Sequence, residues 1–226
     1  MHQCRRHLRR ADARSRSWFK NSPRPCFLTP TVRSIKYEEI DMRMVTIFLS
    51  GALSVAAYAD DLEKMTAEGA TLIPPFQQHL MDTVKLAMQT GGPVNAVEAC
   101  QLLAPQIADQ HSQTPWVVGR TALKVRNPDN VPDAWEKQVL EQFVKRAAAG
   151  EALSGLAHSE IVKGEFRMMK AISVGEACLG CHGKEIKPEL AAVIDQRYPQ
   201  DKARGFALGE LRGAFTLRRI IETAND

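Results

Sequence analysis

The pentapeptide Cys178-Leu179-Gly180-Cys181-His182 constrains this chain more than any other feature of its sequence. C-x-x-C-H is the pattern by which a c-type haem is attached to a polypeptide. Two thiols three residues apart can each add to a vinyl group on one edge of the porphyrin, and the next residue then offers its imidazole to the iron. A pattern of three fixed residues also arises by chance, so its weight depends on the rest of the chain.

Length and charge indicate one globular domain with a basic N-terminal quarter. The chain has 226 residues, 44% hydrophobic and 25% charged, which allows a sizeable core. Residues 1–59 carry 11 Lys or Arg against 4 Asp or Glu, whereas residues 60–226 carry 19 against 22. The net charge of +4 therefore comes from the N-terminal part. Because no basic stripe with interleaved aromatic residues follows residue 60, we expect no nucleic-acid partner.

Residues 42–59 have the pattern of a secretory signal peptide. A short positive start is followed by an apolar run from Val45 and by the small-residue end Ala57-Tyr58-Ala59. The apolar run of about 13 residues is short of the ~20 that a bilayer span needs, so a retained anchor is the less favoured alternative. We expect cleavage after Ala59 and a periplasmic protein, residues 60–226, without a stable membrane span.

Residues 1–41 precede this signal, which is unusual because a signal peptide belongs at the start of a chain. The segment is rich in arginine, has prolines at 23, 25 and 30, and shows no sustained periodicity. We interpret it as a disordered leader translated from a mis-chosen start, with Met42 or Met44 as the true initiator. The alternative is a targeting segment of another kind.

The cysteine count poses a second question. Cys4 and Cys26 lie in the leader, so the mature chain keeps Cys100, Cys178 and Cys181. An odd thiol in an exported protein needs an explanation, because oxidising compartments pair thiols. Haem attachment at the motif would leave Cys100 alone. A disulfide between Cys178 and Cys181 is the competing interpretation, but no βαβ pattern surrounds it, and a zinc site lacks a clear fourth ligand.

Apolar periodicity predicts four helices. The first covers residues 60–90, with an interruption expected at Pro74-Pro75 and an end at Gly91-Gly92. Pro93 opens the second, which Pro105 should kink or end. The two shorter helices cover residues 132–149 and 188–196. The residues that share an apolar stripe are Phe76, Leu80, Val84 and Met88 in the first helix and Val97, Cys100, Ala104 and Ile107 in the second.

Strand-like stretches cluster in the second half of the chain. They cover residues 116–126, 158–162, 166–172 and 209–220, with a turn at 127–130 after the first of them. The haem motif is expected on a loop that ends at Gly183. Because helices come first and the short strands show no regular βα alternation, we predict an α+β fold with an antiparallel sheet.

The sixth position on a haem iron decides what the iron does. The candidates in the mature chain are Cys100, His79, His111, His158, Met168 and Met169. From the residues alone, a cysteine on an apolar helix stripe is usually a small core residue. Met168 and Met169 point to opposite faces of a strand, so at most one could reach the iron, and core packing is favoured. The three histidines lie in polar surroundings and are expected to be solvated.

At this point five stretches of the sequence resemble a known family, the single-haem, PAS-like c-type cytochrome domains long known as a domain of unknown function. The stretches are NAVEACQLLAPQIA, VGRTALKVRNPDNVPDAWE, FRMMKAI, CLGCHG and GELRGAFTL. The resemblance covers roughly residues 65–220. It implies a PAS-like antiparallel sheet flanked by helices, with a long N-terminal helix, in proteins that occur alone in the periplasm or as the sensing part of membrane signalling proteins.

The resemblance also implies a set of site residues. One haem c is held covalently by Cys178 and Cys181, with His182 as one axial iron ligand and Cys100 as the other. Four cationic residues lie in two of the matched stretches and could pair with the haem propionates, although a solvated strand face is the alternative for each. They are Arg120, Lys124, Arg126 and Arg212.

Three functions follow in order of preference. The first is a periplasmic sensor of redox state or of a small diatomic ligand, which passes its signal to a separate protein. The second is an electron carrier with a separate redox partner. The third, a haem enzyme of sulfur-compound oxidation, ranks lowest because the sequence has no second haem motif and no additional catalytic constellation. A thiolate ligand predicts a low reduction potential and release of Cys100 on reduction.

Overall fold

The computed structural model describes the backbone of residues 42–221 and the side chains of residues 60–221, so the predicted leader at 1–41 lies outside it. The helices are α1 (Met42–His111), α2 (Ala134–Ala148), α3 (Glu176–His182) and α4 (Pro188–Arg197), and the strands are β1 (Trp116–Thr121), β2 (Ala157–Val162), β3 (Glu165–Ser173) and β4 (Leu211–Ile220). The predicted α+β class with a long N-terminal helix is confirmed. No helix in the described part of the chain has an apolar stretch that could span a membrane.

Helix α1 is two antiparallel arms joined at Gly91-Gly92. The two glycines leave helical geometry, and Gly92 has φ +70°, which glycine adopts without steric cost. The Asn95 side-chain amide donates to the Ala87 carbonyl at 3.2 Å, and farther from the break His111 contacts His79. We call residues 42–90 the first arm and residues 93–111 the second arm. The predicted end of the first helix at the glycine pair is therefore confirmed.

The interruptions predicted at Pro74-Pro75 and Pro105 are wrong. Within α1, only the glycine pair departs from helical dihedral angles. All three prolines are exposed, while Ile73 and Phe76 beside the first pair are buried. The carbonyls that lose an N–H partner can therefore be hydrated, and packing of the buried face holds the helix together. Packing of the buried face thus outweighs the helix-breaking tendency of the prolines, which is all that the sequence shows.

The sheet has the strand order β1-β4-β3-β2, and all three pairs are antiparallel. The strands predicted at 158–162, 166–172 and 209–220 are confirmed. The first strand ends at Thr121 and not at Arg126 as predicted. Beyond Thr121 the chain leaves the sheet, and Arg126 pairs with Asp201 beside the motif instead.

Helices cover both faces of the sheet, and the side chains alternate between them. On one face the first arm of α1 packs through Ile73 and Phe76, and on the other α2 packs through Phe143. The buried strand residues that face α1 are Trp116, Val118, Phe166, Met168, Phe215 and Leu217, and those that face α2 are Met169 and Ala214. Met168 and Met169 therefore lie on opposite faces, as predicted, and both are core residues.

The apolar stripe predicted for the first arm is only half correct. Phe76 and Leu80 are buried, but Val84 is half-buried and Met88 is exposed. Residues four apart on an α-helix advance by about 400°, so each step drifts about 40° around the axis. Over three steps the stripe turns away from the core, and Ala87 is buried in place of Met88.

Helix α2 is fixed at its start by a capping box. The Asp133 carboxylate accepts from the Glu136 N–H at 2.8 Å, and the Glu136 carboxylate accepts from the Asp133 N–H at 3.0 Å. Thr216 on β4 donates to Glu136 at 2.7 Å, and the buried Arg167 on β3 lies 2.7 Å from Asp133. These contacts join the predicted helix to the sheet, and the helix ends before Gly150, whose φ is +94°.

The haem motif lies on a helix and not on the predicted loop. Helix α3 contains Cys178, Cys181 and His182 at positions i, i+3 and i+4, so all three project from one face. The Gly183 N–H donates to the Leu179 carbonyl at 2.8 Å and closes the last turn. This helix was not predicted because no side chain caps its start and because Gly180 lowers the helix propensity of the segment. The predicted helix after it is confirmed as α4.

Candidate functional site

Cys100 reaches the motif from the second arm of α1. One helical turn before it, Val97 packs in the same apolar cluster as Cys181 of α3 and Tyr198 at the end of α4. Burial raises the pKa of the Cys100 thiol, the nearby charge of Arg120 opposes this rise, and the Cys181 thiol is close enough to add to it. The structure thus brings together the distant thiol and the motif.

The motif helix lies between two apolar clusters. Cys181 packs with the cluster of the second arm and α4, whereas Cys178 packs with Val174, Ala203 and Phe206. Both thiols are half-buried, free of disulfide bonds, and on the same face of α3. The structure therefore contains no disulfide between them, and both thiols are free to react.

The His182 imidazole is held in one tautomer. Its Nδ1 lies 2.7 Å from the Ala203 carbonyl oxygen, which can only accept, so Nδ1 carries the proton and Nε2 keeps its lone pair. Burial, with the nearby charges of Arg212 and Arg126, lowers the pKa of His182 to about 3. The ring is therefore neutral at neutral pH and has a nitrogen available for a metal ion.

A buried ion pair braces the segment that orients His182. Asp201, whose side chain is 2% exposed, accepts from the Arg126 Nε at 3.1 Å and from the Ala203 N–H at 2.9 Å. Arg126 also donates to the Cys181 carbonyl at 2.6 Å. Asp201 therefore connects, through Arg126 and Ala203, to the backbone of the motif and to the acceptor of the His182 N–H.

The four predicted cationic residues occupy different positions. Arg126 is held by Asp201 and the motif backbone, as described above. Lys124 donates to the Arg204 carbonyl at 3.0 Å, and Arg212 donates to the Lys124 carbonyl at 3.1 Å. Both side chains also lie over the Phe206 ring, at 4.7 Å and 5.3 Å from its centroid. Arg212 and Lys124 therefore border the cluster that contains Cys178.

Arg120 differs from the other three. It is half-buried, and its guanidinium has no hydrogen bond or ion pair within residues 60–221. Burial lowers its pKa, and the Cys100 thiol is among the groups near enough to oppose that shift. Burial and the charges of Arg126 and Arg120 lower the pKa of Arg212 to about 10. Arg212 thus lies within electrostatic range of both Arg120 and Arg126, and a nearby anionic group would stabilise its charge.

The other predicted ligand candidates lie away from the motif. Met168 and Met169 lie in the apolar cores on opposite faces of the sheet, and His79 pairs with His111 on α1. His158 lies beside Trp135 of α2, with ring centroids 5.8 Å apart, and contacts Glu160. None of these five residues joins either cluster around the motif.

Four residues of the site were not predicted from the sequence: Asp201, Ala203, Tyr198 and Phe206. They belong to no recognisable motif, because they follow α4 in a segment that reaches the haem motif only through tertiary contacts. The Phe206 N–H donates to the His182 carbonyl at 3.0 Å, and the Gly205 N–H donates to the Gly183 carbonyl at 3.0 Å. The segment 201–206 thus forms one side of the site.

Asp201→Asn is expected to lower the free energy of unfolding by about 3 kcal/mol at pH 7, because it leaves the buried Arg126 charge without its partner. Burial alone would raise the pKa of Asp201, but hydrogen bonds from Arg126 and Arg204 outweigh it and the pKa is lowered. The stabilisation is therefore present above the unfolded-state pKa of about 4 and is lost as the pH falls through the lower folded-state pKa. Urea unfolding at several pH values measures both effects.

The matched control for this change is Asp195→Asn. Asp195 pairs with the same Arg204, but its side chain is 68% exposed, so its loss should cost at most about 1 kcal/mol. Equal destabilisation by the two substitutions would contradict the role of Asp201 as the brace of the site.

Comparison with known proteins places the chain in a family. A cyanobacterial protein described as the heme-protein Tll0287, known from its crystal structure, is 26% identical, with a TM-score of 0.53, over 72% of this chain and 98% of that one. No curated protein matches the chain. The sequence model of the Tll0287-like family matches residues 13–219, a range that begins inside the segment interpreted above as a leader. With nearly all of its length matched, the chain belongs to the Tll0287-like family.

Proposed function

We propose that this chain is a periplasmic haem protein with one haem c, held covalently by Cys178 and Cys181 and with His182 and Cys100 as axial iron ligands. The observation that carries the proposal is the convergence of these four side chains from α3 and the second arm of α1. The relationship to a haem protein supports the cofactor. Covalent attachment, a single haem and the PAS-like relationship are our inferences from the motif and from the resemblance of the sequence.

The residues of the site fit a haem. A c-type haem requires two thiols that can add to its vinyl groups and an imidazole nitrogen that can bind its iron, and Cys178, Cys181 and His182 offer these on one face of α3. The clusters around Cys178 and Cys181 supply apolar walls. Arg120, a half-buried guanidinium without a partner within residues 60–221, suits a carboxylate such as a haem propionate. Arg212 and Lys124 are the further candidates for the propionates, whereas Arg126 is engaged with Asp201.

The chain's own residues then have separate tasks. Haem, when bound, supplies an iron centre that can change oxidation state. Cys178 and Cys181 anchor it, and the Ala203 carbonyl orients the His182 ring and raises its basicity as a ligand. Cys100 comes from a different element than the motif, so its release from the iron would leave the covalent anchor at Cys178 and Cys181 intact.

We infer that the protein senses redox state or a small diatomic ligand and passes the signal to a separate partner protein. A Cys100 thiolate would favour the ferric state of a bound haem, and we propose that, when a redox partner supplies an electron, this thiolate would take up a proton and release the iron. A thiolate ligand supports this function over an electron carrier, because it holds ferric iron better than ferrous iron. A carrier, the alternative, performs best when its ligands stay in place, and a haem enzyme of sulfur-compound oxidation ranks below both.

The test compares the ferric and ferrous forms of the wild-type protein by absorption and EPR, with and without CO or NO. The sensor proposal expects a change of axial ligation on reduction and rapid binding of CO to the ferrous form. An unchanged ligand set in both oxidation states, with no binding of either gas, would favour the electron carrier. Turnover of thiosulfate would favour the enzyme.

A further inference from the structure

Two histidines that the proposed function does not use meet between the arms of α1. The Nδ1 of His79 on the first arm lies 3.3 Å from the Nε2 of His111 on the second arm. Their ring centroids are 5.5 Å apart, and the ring planes differ by 62°. His79 is exposed and His111 is half-buried, so water and small ions can reach the pair.

The spacing of the two nitrogens matches that of two ligands on one zinc ion. A tetrahedral Zn²⁺ with Zn–N bonds of about 2.05 Å places neighbouring nitrogens about 3.3 Å apart. The separation of the two nitrogens is therefore already that of two ligands of one zinc ion. The His111 ring packs on the fully buried Phe76 ring, with centroids 5.5 Å apart, which fixes one of the two ligands in place.

The charge state of the pair also suits metal binding. Ligation requires neutral imidazoles, because a protonated ring nitrogen cannot bind a cation. Partial burial, together with the neighbouring His79, lowers the pKa of His111. In the neutral pair one facing nitrogen donates its proton to the other. That ring has only to move the proton to its other nitrogen, so both facing nitrogens can bind without net loss of a proton.

We propose that His79 and His111 form a Zn²⁺ site that fastens the two arms of α1 to each other. No third His, Cys, Asp or Glu joins the pair in the described part of the chain, so water completes the coordination and the ion is exchangeable. The site lies on the same second arm as Cys100. Bound zinc therefore restrains the element that carries the distant thiol.

The test is a calorimetric titration of the haem-loaded full chain with Zn²⁺, with haem occupying the motif thiols. His79→Gln and His111→Gln should each weaken the binding event at least tenfold, whereas His158→Gln, which changes a histidine on the sheet, should not. Zinc should also raise the thermal midpoint of the wild type and not that of the two variants, because an ion that binds the native pair stabilises the folded state. Mg²⁺ should have neither effect, since it prefers oxygen ligands.

Two outcomes would overturn the proposal. One is the absence of saturable zinc binding. The other is equal affinity in the wild type, His79→Gln and His111→Gln, which would place the ion elsewhere. Because His79 is exposed, His79→Gln should fold normally, and circular dichroism of each variant separates lost binding from lost structure. Both readouts are independent of whether the haem protein is a sensor or an electron carrier.

Discussion

Replacing both Cys178 and Cys181 by alanine is expected to abolish covalent attachment of haem. After denaturation and extraction with acidified organic solvent, the pigment should stay with the wild-type polypeptide and leave with the solvent for the double variant. The reason is that the two thiols on one face of α3 are the only cysteines of the motif, and thioether bonds survive conditions that break iron–ligand bonds. Haem staining of a denaturing gel gives the same comparison.

The double variant should also be less stable than the wild type. Both thiols are half-buried in apolar clusters that join α3 to the second arm of α1 and to the segment 201–206. If haem is anchored at these thiols as proposed, its loss removes apolar contacts with both clusters, so the thermal midpoint should fall.

The matched control is Cys100→Ser, which leaves the motif intact and should retain all covalent pigment. Each single motif variant should keep one point of attachment and an intermediate yield. Full retention of haem by the denatured double variant would contradict the assignment of Cys178 and Cys181 as the anchor.

Local patterns in the sequence predicted most of the fold. Gly91-Gly92 ended the first arm because two glycines followed by proline cannot continue a helix at low cost. Alternation and turn residues located β2, β3 and β4, and apolar periodicity over residues 132–149 located α2. The predicted boundaries were wrong for elements whose ends depend on tertiary contacts. Exposed prolines remained helical, and β1 ended early because its chain turns toward Asp201.

Two kinds of sequence information predicted site residues. One is a local motif, and the other is the odd number of cysteines in the predicted mature chain. C-x-x-C-H is local, and the odd thiol together with the family resemblance pointed to Cys100, which the structure places beside the motif. The brace formed by Asp201, Arg126 and Ala203 was not predictable, because its members are 75 or more residues apart or are backbone atoms. Arg126 illustrates the limit. Its position in a matched stretch suggested a propionate contact, but its guanidinium is held by Asp201 and the Cys181 carbonyl.

Cys100→Ser is expected to change the axial ligation of the haem and to raise its reduction potential by on the order of 100 mV. A thiolate donates charge to the iron and stabilises the ferric state, and a neutral hydroxyl does so far less. The substitution is nearly isosteric, and Cys100 is half-buried, so the fold should tolerate it. Ferric absorption and EPR spectra report the ligand, and a spectroelectrochemical titration reports the potential.

Leu103→Ser is the matched control, because it places the same hydroxyl one turn along the second arm at an exposed position. This variant should keep the wild-type ferric spectrum and potential. An unchanged ferric spectrum in Cys100→Ser would remove Cys100 as a ligand, and with it the reason to expect release on reduction. Met168 and Met169 could not take its place without unpacking the sheet cores, and His79, His111 and His158 lie away from the motif. The two spectra therefore decide whether the second arm of α1 takes part in the chemistry of the iron or only covers it.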